Sequence, residues 1–196
     1  MAGMGAKTRI LQILTDAQAA GRAVAVYSDS EEASGYEVGF VGYIDSGDLT
    51  IHALSNRGEP DGKRQYELEE VVRVDIDTSY IRRLELLYEY RDSIFDKEFP
   101  KTPAGHQDLR AQLLHAMEIG TLVHLVDSND VGPTGLVHSV GDDHAEIERI
   151  STNGEPDGRT VMLFDDIAKA HIGRRSEQVL GFLYRYHVGL KRLLES

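Results

Sequence analysis

Gly58-Glu59-Pro60-Asp61-Gly62 and Gly154-Glu155-Pro156-Asp157-Gly158 are the same five residues met twice, at a shift of 96, and each copy is followed by a cation, Lys63 or Arg159. Held at that shift, Gly39–Arg91 runs against Gly135–His187 without a gap, and 14 of the 53 columns are identical. Chance would give about three, because even the commonest residues each make up only a few per cent of a chain. Among the identical columns are Gly39/Gly135, Ser55/Ser151, Leu87/Leu183 and Tyr88/Tyr184. The sequence therefore reads as an internal duplication, and every element of one half predicts its counterpart in the other.

Working outward from the repeat, apolar alternation on both sides marks strands. Leu49/Ile51 and Ala145/Ile147 are the inward residues of Asp48–Ser55 and His144–Ser151. Within the repeat, Pro presets φ, Asp accepts local backbone bonds and the closing Gly takes positive φ, which predicts a hairpin turn over the pentapeptide itself. The strands expected after it are Lys63–Leu68 and Arg159–Phe164. Earlier strands are expected at Arg22–Ser28 and Tyr36–Ile44, and at Thr121–Asp127 and Thr134–Val140, with Phe40 and Ile44 sharing one face and Leu136 and Val140 another. A fifth strand places Val72, Val74 and Ile76 on one side, repeated by Ala168, Ala170 and Ile172. Helices precede and follow each set. Thr8–Ala20 and Gln107–Ile119 carry one apolar stripe each and stop at Gly21 and Gly120, while Ser79–Phe95 and Ser176–Leu194 carry two apolar faces each. A helix with two apolar faces packs on two things. One face is expected on its own unit, the other on the sister unit or on a second copy of the chain.

The fold class expected is α+β, mostly β: two five-stranded small barrels, each flanked by an N-terminal and a C-terminal helix, over residues 7–95 and 106–195, with 96–105 as linker. Closure into a barrel is the expectation because it removes sheet edges. Val24-Ala25-Val26-Tyr27, the glycine-bearing Val38-Gly39-Phe40-Val41-Gly42-Tyr43-Ile44-Asp45, Asp48-Leu49-Thr50-Ile51 and Val71-Val72-Arg73-Val74-Asp75-Ile76 resemble, in order, strands of the Sm-like branch of the SH3-like barrels. The resemblance is at the level of fold. It implies ring assembly and binding of single-stranded RNA through the loops after the second and fourth strands. Here those loops are Ser46-Gly47 and Asp142-Asp143, then Glu69-Glu70 and Asp165-Asp166, so carboxylates stand where RNA would need polar and basic groups.

Charge points the same way. The chain carries a formal net charge of −12, which repels nucleic-acid phosphates at long range. Cysteine is absent, which removes thiolate chemistry and thiolate metal sites and fits a cytoplasmic location. The N-terminus lacks the apolar core of a secretory signal, and no apolar run is long enough to span a bilayer. Neither a P-loop, a dinucleotide fingerprint nor a nucleophile elbow occurs, so no enzymatic activity, cofactor or metal is expected. His124, His138 and His144 fall on three successive strands, but without zinc-type spacing; His138, in phase with Leu136 and Val140, reads as a partly buried histidine.

The function expected is that of a non-enzymatic binding or scaffold protein recognising a protein partner. Its candidate partner-binding residues are the charged groups of the two hairpins, Glu59, Asp61, Lys63, Arg64, Glu155, Asp157 and Arg159. Two alternatives remain open: RNA binding through a basic face near Lys63, Arg64 and Arg159, and a small-molecule sensor with its pocket between the units. A homo-oligomer through the terminal helices is a further expectation, and a membrane partner is not expected.

Overall fold

A computed structural model describes residues 5–28, 35–95 and 108–194. The expected linker 96–105 and nearly all of the loop expected at 29–35 lie outside the described residues. The described residues form helices and two five-stranded antiparallel sheets, and the chain divides into two compact units, Met1–Arg91 and Asp92–Ser196.

In the first unit, α1 (Ala6–Ala20) ends at Gly21, whose φ of 63° is left-handed, and the chain then enters β1 (Ala23–Ser28). β2 (Tyr36–Ile44), β3 (Asp48–Leu54) and β4 (Pro60–Glu67) follow as a meander, and β5 (Val71–Asp75) returns to pair with β1, giving the order β4-β3-β2-β1-β5. One face of this sheet holds the core: Leu14 and Ala17 of α1 lie among Val24, Val26, Val41, Leu49, Ile51, Leu68 and Val71. On the opposite side of β1, Ala23 and Ala25 are buried too. There α2 (Ser79–Glu89) packs on β1, and the Glu85 carboxylate accepts the Ala23 amide at 2.8 Å.

The sheets do not close into barrels. β4 and β5 are the two outer strands of their sheet and do not pair with each other. The single 3-10 turn Leu68–Glu70 joins them, and the side that closure would have filled is covered by α1 instead. Lys7 of α1 reinforces this join, its ammonium donating to the carbonyls of Leu68 (3.4 Å), Glu69 and Val71 (2.9 Å). Replacing Lys7 by Met keeps the apolar stem and removes those bonds; for a partly exposed ammonium the expected loss is about 1 kcal/mol in urea unfolding.

Bulges alter which side chains share a face. The ladder of β2 with β3 skips Gly42, so Ile44 joins the core while Phe40 lies on the opposite face, against the expectation that the two point together. A shift at Tyr27/Ser28 does the same to β5: Val71 and Val74 turn to the core and Val72 outward. Glycine at 39 is required by close approach, since a Cβ there would stand 2.2 Å from the His52 carbonyl oxygen.

The β2–β3 turn is tied by Asp45, which accepts from the amides of Asp48 at 2.7 Å and Gly47 at 2.8 Å and from the Tyr43 hydroxyl at 2.8 Å. The Asp48 amide first, then Gly47 and Tyr43, hold the Asp45 carboxyl below its ordinary range. A carboxyl depressed in the folded state stabilises above its unfolded value and loses that contribution as pH falls through the folded one. The turn should therefore stay intact through the ordinary aspartate midpoint, about 3.9, and open only below it. The Gly47 amide shift should report a midpoint under that value, and Tyr43→Phe should raise it.

α2 begins at Thr78, whose hydroxyl accepts the Ile81 amide at 3.2 Å. The helix expected over Ser79–Phe95 is interrupted at Tyr90 (φ −100°, ψ 11°), and a short α3 (Arg91–Ile94) follows.

The second unit repeats the plan. α4 (Leu109–Ile119), capped by Asp108 and ended by left-handed Gly120, leads into β6 (Leu122–Val126), β7 (Thr134–Val140), β8 (His144–Ile150), β9 (Pro156–Leu163) and, after the 3-10 turn Phe164–Asp166, β10 (Lys169–Ile172). The order β10-β6-β7-β8-β9 matches that of the first sheet and is equally open. Leu113 and Ala116 fill the core with Val123, Leu125, Val137, Ala145 and Ile147. α5 (Arg175–Leu194) packs on β6 with Val179 and Leu183 buried, whereas Tyr186 and Leu190 near its end stay 37% and 41% exposed. No helix among the described residues is long and apolar enough to cross a membrane.

Candidate functional site

The repeated pentapeptides do not form the tight turns but begin at their last residue. The tight turn is Ser55-Asn56-Arg57-Gly58, closed by the Gly58 amide on the Ser55 carbonyl at 2.9 Å. Its counterpart is closed by Gly154 on Ser151, also at 2.9 Å. Gly58 and Gly154 occupy left-handed backbone, at φ of 75° and 84°. Pro60 and Pro156 already belong to β4 and β9, and Asp61-Gly62 form a bulge opposite Ala53. The first glycine of each repeat, not the last, takes the position that ends a type I turn.

Two further contacts explain why this turn recurs. The Ser55 hydroxyl accepts the Glu59 amide at 3.2 Å, and Ser151 accepts that of Glu155 at the same distance. The glycines touch the helix that ends each sheet repeat. A Cβ on Gly58 would lie 2.5 Å from Leu87 Cβ and 2.9 Å from the Tyr88 nitrogen, and one on Gly154 would lie 2.5 Å from Leu183 Cβ. Identity at Gly58/Gly154, Leu87/Leu183 and Tyr88/Tyr184 thus records one docking contact, hairpin on helix, kept in both units. Ser55 and Ser151 were visible as an identical column, but only the geometry assigns them to the turn.

The seven charged residues singled out from the sequence fall into two separate groups, one per hairpin. In the first, Arg64 approaches Glu37 at 3.5 Å and Asp61 at 3.7 Å, and Glu59 is half-buried. The Lys63 ammonium has no ion pair or hydrogen bond among the described residues, although the Lys63 carbonyl accepts from Arg64 at 3.4 Å. In the second, Asp157 pairs with Arg149 at 2.8 Å, Arg159 approaches Glu146 at 3.4 Å, and the Arg159 guanidinium meets His138 Nε2 at 3.0 Å. Glu155 is exposed.

His138 is exposed, not half-buried as expected, because the β7 ladder skips it at a bulge between Val137 and Ser139. The three histidines do not converge. His124 stacks edge-on with His171 of β10 at 5.6 Å, and His144 pairs with Asp143 at 2.7 Å. Among the described residues no group of three or more His, Asp or Glu is placed to hold a metal.

β4 and β9, which begin inside the repeats, are outer strands, and they present different chemistry. Along β9 the side chains alternate: Met162 packs on the core, while Val161 and Leu163 point out and are 61% and 51% exposed. At the same positions β4 carries Gln65 and Glu67, which are polar and exposed. Comparison of the chain with known protein families, characterised proteins and solved structures finds no match.

Proposed function

We propose that this chain is a non-enzymatic binding protein that recognises a protein partner, and that the partner adds an extended segment to the outer edge of β9. One observation carries the reading: β9 is the outer strand of its sheet, pairing on one side only among the described strands, and it carries two exposed apolar side chains, Val161 and Leu163. An edge of this kind templates strand addition, with main-chain bonds supplying affinity and alternate side chains supplying specificity. β4 is the natural control, because Gln65 and Glu67 blunt the equivalent edge of the first unit. The shared strand order and the 3-10 turn between the last two strands of each sheet support relating both units to the Sm-like and SH3-like barrels, in an opened form.

RNA recognition finds less support, since Arg64 and Arg159 are engaged with carboxylates. A photo-crosslinking amino acid in place of Val161 should trap a discrete protein adduct in lysate of the native cell, and one in place of Gln65 should not. Val161→Lys with Leu163→Lys should weaken capture at least about tenfold, as loss of two apolar contacts implies. Equal capture at both edges, or salt-sensitive retention of oligo(U) that survives the double lysine variant, would reject the reading.

A further inference from the structure

The face of the first sheet that α2 leaves partly open forms a cleft of about 600 Å³, within the range of small-molecule sites. Its floor follows from register. Ala23, Phe40, His52 and Lys63 are successive cross-strand partners from β1 to β4, so their side chains form one row across the sheet. Tyr88 of α2 leans over that row with its ring 5.0 Å from Phe40, and Leu54 and Pro60 complete the apolar wall. Gly42, at the bulge, leaves room for the His52 ring, since a Cβ there would stand 2.5 Å from Nε2.

The electrostatics are the reverse of the chain's average. Among the described residues no carboxylate lines the cleft, although the protein carries a net charge of −12. Lys63 lines its rim, and the Arg91 guanidinium lies 4.2 Å above the Tyr88 ring. The second unit shows what the same row becomes when it is self-satisfied. There the partners read Leu122, Leu136, Glu148 and Arg159, so a carboxylate faces the cation across the strands, and Glu146 and His138 also engage Arg159. Duplication thus produced two copies of one row. In one the cation is neutralised from within. In the other it shares the cleft with Phe40 and Tyr88 and has no ion pair among the described residues.

We infer that the Phe40–Tyr88 cleft of the first unit is a binding site for a small planar aromatic carboxylate, its ring stacked on Phe40 and Tyr88 and its carboxylate paired with Lys63. Aromatic surface rewards a flat apolar body, and an unpaired ammonium at the rim rewards one negative charge at its end. The site is independent of the β9 edge, which lies in the other unit.

A backbone amide NMR titration of the full chain with 1-naphthoate tests it, with 1-naphthalenemethanol as the neutral comparator. Saturable shifts are expected at Phe40, His52, Leu54, Lys63 and Tyr88, and none at Leu136, Glu148 or Arg159. The neutral alcohol should bind about tenfold more weakly, the loss of one charge-assisted hydrogen bond. Lys63→Met should cost naphthoate the same factor while leaving the alcohol unchanged, and His52→Glu, which installs the second unit's carboxylate, should weaken naphthoate further. Both positions line an open cleft beside an outer strand, and an unchanged spectrum elsewhere verifies the fold of each variant. Equal affinity for acid and alcohol, indifference to Lys63→Met, shifts centred elsewhere, or no shifts up to roughly 10 mM, beyond any specific site, would each overturn the assignment.

Discussion

Gly58→Ala is expected to destabilise the first unit by about 3–4 kcal/mol, lowering its urea midpoint by roughly 1–2 M. Two costs combine. Left-handed backbone at φ 75° penalises any Cβ by about 1–2 kcal/mol. The new methyl would also meet Leu87 Cβ at 2.5 Å and the Tyr88 nitrogen at 2.9 Å, so the hairpin must lift from α2 or α2 must shift. Overpacking against backbone of this kind adds about 1–3 kcal/mol. Gly62→Ala separates the two terms. Its φ of 88° is equally left-handed, but the nearest atom to its Cβ is the end of the Arg64 side chain at 3.5 Å. That variant should lose only the backbone term. If the two variants unfold at the same urea concentration, the hairpin-on-helix contact contributes nothing. Gly154→Ala should behave as Gly58→Ala does, since Leu183 stands at the same 2.5 Å.

The second large effect is expected at Leu14→Ala, with Leu113→Ala as its counterpart, each costing about 3–4 kcal/mol. Both leucines are fully buried, each in the helix that covers the core face of its own sheet. Truncation leaves a cavity walled by Val24, Val41 and Ile51 in one unit and by Val123, Val137 and Ile147 in the other. β-branched walls on a hydrogen-bonded sheet collapse poorly into such a space, which puts the cost toward the upper part of the range for such changes. Hydrogen exchange resolves the loss unit by unit. Protection should fall in β1–β3 for Leu14→Ala and in β6–β8 for Leu113→Ala. A cost below about 1 kcal/mol in either would mean that α1 or α4 is not part of the core it covers.

Much of this was legible without coordinates, because local chemistry carries it. The duplication is a matter of identity at a fixed shift. Gly21 and Gly120 end their helices through left-handed backbone that other residues avoid. Leu49, Ile51, Ala145 and Ile147 alternate without interruption, and the structure buries all four. Failure began wherever one residue slipped out of a ladder. A bulge leaves no compositional mark, yet it reverses the face of every side chain beyond it. Gly42 is such a position. Read without it, Phe40 belongs to the core with Ile44, and the aromatic floor of the cleft disappears from view. His138 and Val72 were misplaced for the same reason.

The charged hairpin residues show the other limit. As letters, Lys63 and Arg159 are equivalent members of a repeat. Their difference lies in what stands across the strands, His52 for one and Glu148 for the other, and that pairing is set by register between segments distant in the chain. Sheet closure was undecidable for a related reason. Whether β4 meets β5 depends on how far two edges curve toward each other, and the covering helices relieve the need. By itself, then, the sequence determined that there are two copies of one α+β unit and which aliphatic side chains hold each together, because periodicity and backbone preference act over a few residues. Tertiary structure alone decided that the sheets stay open, that β9 offers an apolar edge where β4 does not, and that one lysine lines a cleft with two aromatic rings and no ion pair among the described residues. Each of those depends on which distant strand lies alongside, a quantity that no short window of residues contains.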